Sequence, residues 1–138
     1  MNLECSKNAL VLFSGGLDST TSLAIAKSEG YNITALTINY KQRHDYEIIA
    51  SKKILANYSD INHIIFDIDL TKIGGSALTD TNLEVPRKES DGIPITYVPA
   101  RNTIFLSIAA SYAEKLKIKD IYIGVNAIDY SGYPDCRP

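Results

Sequence analysis

Ala9-Leu10-Val11-Leu12-Phe13-Ser14-Gly15-Gly16-Leu17-Asp18-Ser19-Thr20-Thr21 runs from an unbroken apolar pentad, through paired glycines, into a stretch of helical patterning that continues to Lys27. A strand that ends in small residues and turns straight into a helix gathers unpaired backbone N–H groups and the positive end of the helix dipole at one point, and such a point attracts an anion. Gly15 and Gly16 let the backbone take positive φ and approach phosphate oxygens closely, while the hydroxyls of Ser14, Ser19 and Thr20 add donors. Asp18 needs a separate reason: a carboxylate among phosphate ligands repels them unless a cation lies between, which points to Mg2+ bound with a nucleotide. The plainer alternative is a glycine turn capped by Ser or Asp at an ordinary strand-to-helix junction. Two familiar phosphate motifs do not match, because no Lys follows the glycines and the GxGxxG spacing is absent.

Working outward, apolar β-branched runs at residues 8–13, 33–38 and 63–68 alternate with helical patterns at 18–28 and 46–57. Gly30 reads as the C-cap of the first helix, and Ile48, Ile49, Ile54 and Leu55 as the shared inner face of the second. Residues 71–99 carry too many Gly and Pro breakers for a long element. A third helix is expected at 101–117, apolar on most sides, followed by a strand at 121–125. This βαβα order predicts an α/β fold, a Rossmann-like parallel sheet with helices on both faces, with ligands beyond the carboxyl ends of its strands. The chain has 138 residues, 45% of them hydrophobic, enough for one domain with a core over residues 1–138. A net charge of −2 gives no general attraction to a polyanion, so no direct nucleic-acid partner is expected. Cys5 and Cys136 form neither a disulfide framework nor a metal quartet. No apolar signal core or membrane span is visible, which predicts a soluble cytoplasmic protein.

Several constellations fall where the strand ends are expected. Tyr40-Lys41-Gln42-Arg43-His44 follows the second strand. Arg43 can hold a phosphate or carboxylate, and Gln42 or His44 can bond a substrate edge, the alternative being a solvated basic helix start. His63, at the start of a strand, is assigned to packing. Val98-Pro99-Ala100-Arg101-Asn102 opens the third helix and places Arg101 and Asn102 at its positive end, where an anion is favoured; the alternative is a surface ion pair. In residues 129–138, Tyr130 and Tyr133 can stack on a flat heteroaromatic ring while Asp129 and Asp135 accept from its N–H groups. A tyrosine-rich turn packing on its own domain is equally compatible.

The Ser14–Ser19 hexapeptide resembles the SGGxDS pyrophosphate loop of the ATP pyrophosphatases, which cleave ATP between its α and β phosphates. Together with Gln42-Arg43-His44, Asp91-Gly92-Ile93-Pro94, residues 98–106 and Ser131-Gly132-Tyr133-Pro134-Asp135-Cys136-Arg137-Pro138, it resembles the 7-cyano-7-deazaguanine (preQ0) synthase family of queuosine biosynthesis. The resemblance implies the adenine nucleotide alpha hydrolase-like fold and an ATP-dependent carbon–nitrogen ligase. Such an enzyme converts 7-carboxy-7-deazaguanine and ammonia to the nitrile through an adenylated carboxylate and an amide. It implies that Phe13, Ser14, Gly15, Gly16, Leu17, Asp18, Ser19, Thr20 and Thr21 bind ATP, with Asp18 on Mg2+. Asp18, Arg101 and Arg43 would serve catalysis, and Gln42, His44, Arg101, Asn102, Asp129, Tyr130, Tyr133 and Asp135 would contact the substrate. It also implies a homodimer and a C-terminal cysteine cluster for Zn2+. Cys136 is not part of that cluster and the chain stops at Pro138 before it, so zinc ligands are not expected here and the chain reads as a fragment. Many family members have Asp-Tyr-Gly where this chain has Asn39-Tyr40-Lys41. The competing functions are a non-catalytic ATP-binding module and another pyrophosphate-loop ligase such as a tRNA-lysidine synthetase.

Overall fold

The computed structural model describes residues 6–41, 45–76 and 99–125. In chain order they form β1 (Asn8–Leu12), α1 (Leu17–Ser28), β2 (Asn32–Asn39), α2 (Tyr46–Leu55), β3 (Asn62–Asp67), α3 (Arg101–Leu116) and β4 (Asp120–Tyr122). The strands make one four-stranded sheet in the order β3-β2-β1-β4, with every adjacent pair parallel. Successive strands run outward from β1 to β3, and the chain then crosses back to place β4 on the other side of β1. The crevice between the carboxyl ends of β1 and β4 is therefore the switch point of the sheet, where α/β folds bind ligands.

Side-chain alternation sorts the core into two layers. Val11 and Phe13 join Ile33, Ala35, Leu23 and Ala26 of α1, and Leu55 of α2 on one face; Leu10 joins Leu36, Ile38, and Ala109 of α3 on the other. Helices thus cover both faces, as the βα alternation predicts. Leu23 is fully buried, and truncating it to alanine would cost about 2–5 kcal/mol.

One helical expectation is corrected. Ile49 of α2 does not join the inner face: it is 62% exposed, while Ser51 is fully buried. At 100° per residue Ile48, Ser51 and Leu55 share the stripe facing the sheet and Ile49 falls off it. The Ser51 hydroxyl satisfies its buried position by donating to the Ile48 carbonyl at 2.8 Å. Helix α3 packs against the sheet as expected, with Phe105, Ile108, Ala109 and Tyr112 against Leu10, Leu36 and Ile38. Ala109 and Ala113 are its buried positions and Leu106 is 38% exposed, because one helix on one sheet face can cover only one stripe. The last strand is shorter than 121–125, and Phe13 lies just past the end of β1.

Gly30 does close α1. At φ 82° it permits a Schellman ending, with Gly30 N–H donating to the Lys27 carbonyl at 3.1 Å and Tyr31 N–H to the Ala26 carbonyl at 3.2 Å. Among the described residues no helix is long and apolar enough to cross a membrane.

The end of β1 is tied to β2 and β3 through a buried hydroxyl. Thr37 donates to the Phe13 carbonyl at 2.7 Å, and its oxygen lies 2.7 Å from His63 Nε2. Because the Thr37 proton is committed to Phe13, His63 must be the donor in the second bond, which fixes a proton on Nε2. His63 is thus structural, in keeping with the packing assignment. Burial, aided by the charge of Lys52, holds its pKa below the ordinary 6.5. The folded protein therefore prefers neutral His63 while the unfolded chain takes up a proton as pH falls through 6.5, so this contribution is complete above 6.5 and is lost on acidification. Urea unfolding of the wild type against His63→Gln between pH 7.5 and 5 tests this. The wild type is expected to lose stability more steeply on acidification, and the glutamine variant, whose amide can still donate to Thr37, to show the shallower slope.

Candidate functional site

The turn from β1 into α1 is closed by its own side chains. Gly16 N–H donates to Ser14 Oγ at 3.3 Å, Ser14 Oγ lies 3.2 Å from Ser19 Oγ, and Ser19 Oγ donates to the Gly16 carbonyl at 3.1 Å. Since the Ser19 proton goes to Gly16, Ser14 is the donor between the two hydroxyls, and the bonds form a ring through the two serines and Gly16. Ser14 N–H adds a further bond to Ser19 Oγ at 3.2 Å. Ser14 and Ser19 thus staple the turn in one shape. Thr20 and Thr21 behave differently from the expectation that Thr20 donates to phosphate. Their hydroxyls turn back to the Gly16 and Leu17 carbonyls at 2.7 and 2.9 Å, the usual habit of Thr inside a helix.

No side chain caps the N-terminus of α1, whose first-turn N–H groups belong to Leu17, Asp18 and Ser19. Two glycines keep the backbone around that helix end close-packed. Gly15 has φ 84°, and a Cβ there would lie 2.7 Å from Ser51 N and 2.9 Å from the Ala50 carbonyl carbon, backbone atoms of α2 that cannot rotate aside. A Cβ on Gly124, just beyond β4, would lie 2.5 Å from the Asp18 carbonyl carbon and 2.6 Å from Ser19 N. The chain leaving β4 thus passes directly against the first turn of α1, and any larger residue would cover or displace the Ser19 N–H.

A cleft of about 150 Å³ opens at this switch point. Phe13, Ser14 and Ser19 line one side, Ile123, Gly124 and Val125 the β4 side, and Arg101, Asn102 and Phe105 of α3 the wall opposite the loop. The structure therefore brings the pyrophosphate-loop serines, Arg101 and Asn102 to one cavity, although they are widely separated in sequence. Tyr40 and Glu47 line it as well. Leu17 and Asp18 are exposed at the head of α1 rather than in the cleft wall, Leu17 at 83%. Gln42, Arg43, His44, Asp129, Tyr130, Tyr133 and Asp135 lie outside the described residues, as do Cys5 and Cys136.

Arg101 is half-buried as the first residue of α3. Its Nη1 donates to the Tyr40 hydroxyl at 3.2 Å, and its Cζ lies 5.7 Å from the centre of the Tyr40 ring. Left-handed backbone flanks this pair, with φ 54° at Lys41 and 51° at Ala100, each costing about 1–2 kcal/mol for a residue with a Cβ. Lys41 therefore occupies a backbone position better suited to glycine. It is steadied by Nζ lying 3.5 Å from Asp69 and by its N–H donating to Asn39 Oδ1 at 3.3 Å. The Thr71 hydroxyl, then the Thr71 N–H and Lys41, hold the Asp69 carboxyl below its ordinary pKa, so the carboxyl is ionised near neutrality. Asn39 in turn donates to Asp67 at 2.8 Å, so the polar residue at that position bridges strand ends.

Tyr40, Glu47 and Gly124 were not singled out by the sequence reading as site residues. An isolated Gly just past an apolar strand is a known sign of close backbone approach, and Gly124 carried that signal. Tyr40 was obscured by the charged run that follows it. Nothing local in the sequence marks Glu47.

Among the described residues there is no cluster of three or more His, Cys, Asp or Glu side chains able to hold a metal ion. A nucleotide-borne Mg2+ needs less, since one or two carboxylates suffice when phosphates and water supply the other ligands. The exposed Asp18 carboxylate beside the stapled loop fits that donor set.

A family model described as queuosine biosynthesis protein QueC matches residues 8–138. The chain is 56% identical over 132 residues to the 7-cyano-7-deazaguanine synthase of Cellvibrio japonicus (strain Ueda107), covering 96% of this chain and 59% of that protein. It is 56% identical over 133 residues to the protein of the same name from Saccharophagus degradans, with the same coverages of 96% and 59%. The chain thus spans about three fifths of the length of these curated relatives. A crystal structure described as a predicted subunit of tRNA methyltransferase from Methanocaldococcus jannaschii superposes with a TM-score of 0.56 at 21% identity, covering 91% of this chain and 56% of that one, and it supports the fold alone.

The two glycine contacts give a direct test. Gly15→Ala is expected to lose about 2 kcal/mol or more, from positive φ and the backbone clash together. Gly124→Ala should weaken ATP binding while leaving the protein folded at the temperature of the titration. Calorimetric titration of ATP beside thermal unfolding checks both.

Proposed function

The chain belongs to the queuosine biosynthesis QueC family, and on that premise we propose that it carries the ATP-activating half of a synthase that turns 7-carboxy-7-deazaguanine into 7-cyano-7-deazaguanine. The observation that carries the reading is the stapled Ser14–Ser19 loop facing Arg101 across one cleft at the switch point of the sheet. In this reading residues 1–138 act as a single nucleotide-binding domain, in the cytoplasm, and the whole protein works as a homodimer without direct contact to nucleic acid or membrane.

A carboxylate is a poor electrophile because its oxygen leaves badly, so it must first be joined to a better leaving group. The substrate carboxylate attacks the α phosphorus of ATP, and the bond to the bridging oxygen of pyrophosphate breaks. The N–H groups at the head of α1 hold the β and γ phosphates as their charge grows, on a turn that the Ser14–Ser19 hydrogen bonds keep in shape. Preorganised donors of this type stabilise the departing anion without having to reorganise. Arg101, on the opposite wall, adds a fixed positive charge toward the phosphate or the substrate carboxylate, with Asn102 beside it as a neutral partner. Ammonia then attacks the adenylated carbonyl and AMP departs, leaving the amide. A second adenylation makes the amide oxygen the leaving group, and loss of AMP and protons from nitrogen completes the nitrile.

Asp18 would hold Mg2+ carried in with the nucleotide; when bound, the ion neutralises charge on the phosphates. Gln42, Arg43 and His44 on the β2 side and Asp129, Tyr130, Tyr133 and Asp135 after β4 are proposed to complete the substrate side. A structural zinc centre takes four thiolate or imidazole ligands. The cysteines of this sequence are Cys5 and Cys136, so no step is routed through zinc.

Incubating the purified protein with Mg-ATP, ammonium and 7-carboxy-7-deazaguanine, and following AMP and the nitrile by mass spectrometry, tests the reading. Nitrile formation is expected to fall by about a hundredfold or more in Asp18→Ala, the scale of losing a principal electrostatic contact. Nitrile yield unaffected by that change, or AMP release that ignores the deazaguanine, would rule the assignment out.

A further inference from the structure

Arg101 has a long, flexible side chain, and a cation that wanders is a weak catalyst: stabilising a charge as it develops requires donors already in place. Tyr40 is 1% exposed and packs with Leu70, Ile68, Ile104 and Phe105, its ring centre 5.4 Å from that of Phe105. Arg101 and Phe105 stand four residues apart on α3 and so share one face of that helix. The phenol sits against this face, touching the guanidinium at its hydroxyl and Phe105 along its ring. From the other side, the left-handed turn at Lys41 and the Lys41–Asp69 pair fix the backbone directly after Tyr40.

We propose that Tyr40 is a positioning residue that aims the Arg101 guanidinium into the cleft, toward an oxyanion held by the Ser14–Ser19 loop. The inference rests on the synthase reading for its catalytic consequence, while the geometry it asserts stands apart from that reading. The tyrosine oxygen accepts one of the five guanidinium N–H groups, which fixes the plane of the fork and sets the direction of the others. Because Tyr40 acts through Arg101, losing its hydroxyl should slow turnover more than it weakens ATP binding.

Tyr40→Phe keeps the ring and removes the hydroxyl that accepts from Arg101. In the purified protein the kcat of nitrile formation should fall about tenfold, the scale of a misaimed catalytic group, with KM for ATP and the melting temperature essentially unchanged. In parallel, 15N NMR of the arginine side chains should show slow guanidinium rotation at Arg101 in the wild type, assigned with Arg101→Lys, and faster rotation in Tyr40→Phe. The proposal is overturned if Arg101 rotates equally fast in both proteins, if kcat is unchanged, or if the loss of activity only tracks a loss of folded protein. Should the wild type make no nitrile, the failure belongs to the synthase reading of this chain and not to the Tyr40 geometry, and the Arg101 rotation alone decides whether Tyr40 positions it.

Discussion

Backbone packed on backbone at the head of α1 is the constraint on which the rest of this structure depends. Gly15 brings the phosphate-type loop against Ala50 and Ser51 of α2, and Gly124 brings the exit of β4 against Asp18 and Ser19. Neither contact leaves room for a Cβ. Held from both sides, the first turn of α1 has little freedom to close over its own N–H groups, and the Ser14–Ser19 hydrogen bonds keep the turn below it in one shape. A helix end normally satisfies its orphan donors with a capping side chain. Here the N-cap is Gly16, which has none to offer.

The same economy recurs across the cleft. Helix α3 also begins without a side-chain cap, from the left-handed Ala100, and delivers Arg101 and Asn102 to the cavity lined by Ser14 and Ser19. The positive end of α3 and a guanidinium thus meet Ser14 and Ser19 at one cleft. Glu47, lining the cavity from α2, supplies the opposite sign. A carboxylate so placed favours ligands that arrive with a cation or an amino group. Strained backbone at Lys41 and Ala100 sits beside the residues that meet in the cavity, which is where folds commonly keep such conformations.

Much of this was legible in the sequence because the signals were local. Alternating apolar runs and helical spacing located every described strand and helix to within a few residues, and the paired glycines after an apolar pentad located the loop. Gly30 announced the end of α1 because a Schellman ending needs positive φ. Tertiary burial was less legible. Ile49 and Ser51 exchange the roles that hydrophobicity alone assigns them, since the helical period places Ser51 on the stripe facing the sheet and Ile49 off it. The contact between Tyr40 and Arg101 spans β2 and α3 and has no local signature, and the role of Gly124 appears only when β4 is seen beside α1. The commitment of the Thr20 hydroxyl to its own helix likewise depends on a rotamer that composition does not encode.

The most direct measurement is a titration of inorganic pyrophosphate, followed by backbone amide NMR, because it asks where the anion sits without requiring turnover. The account predicts the largest shifts at the amides of Gly16, Leu17, Asp18 and Ser19, with a companion change at the Arg101 side chain. Shifts centred elsewhere, leaving the head of α1 unperturbed, would contradict it.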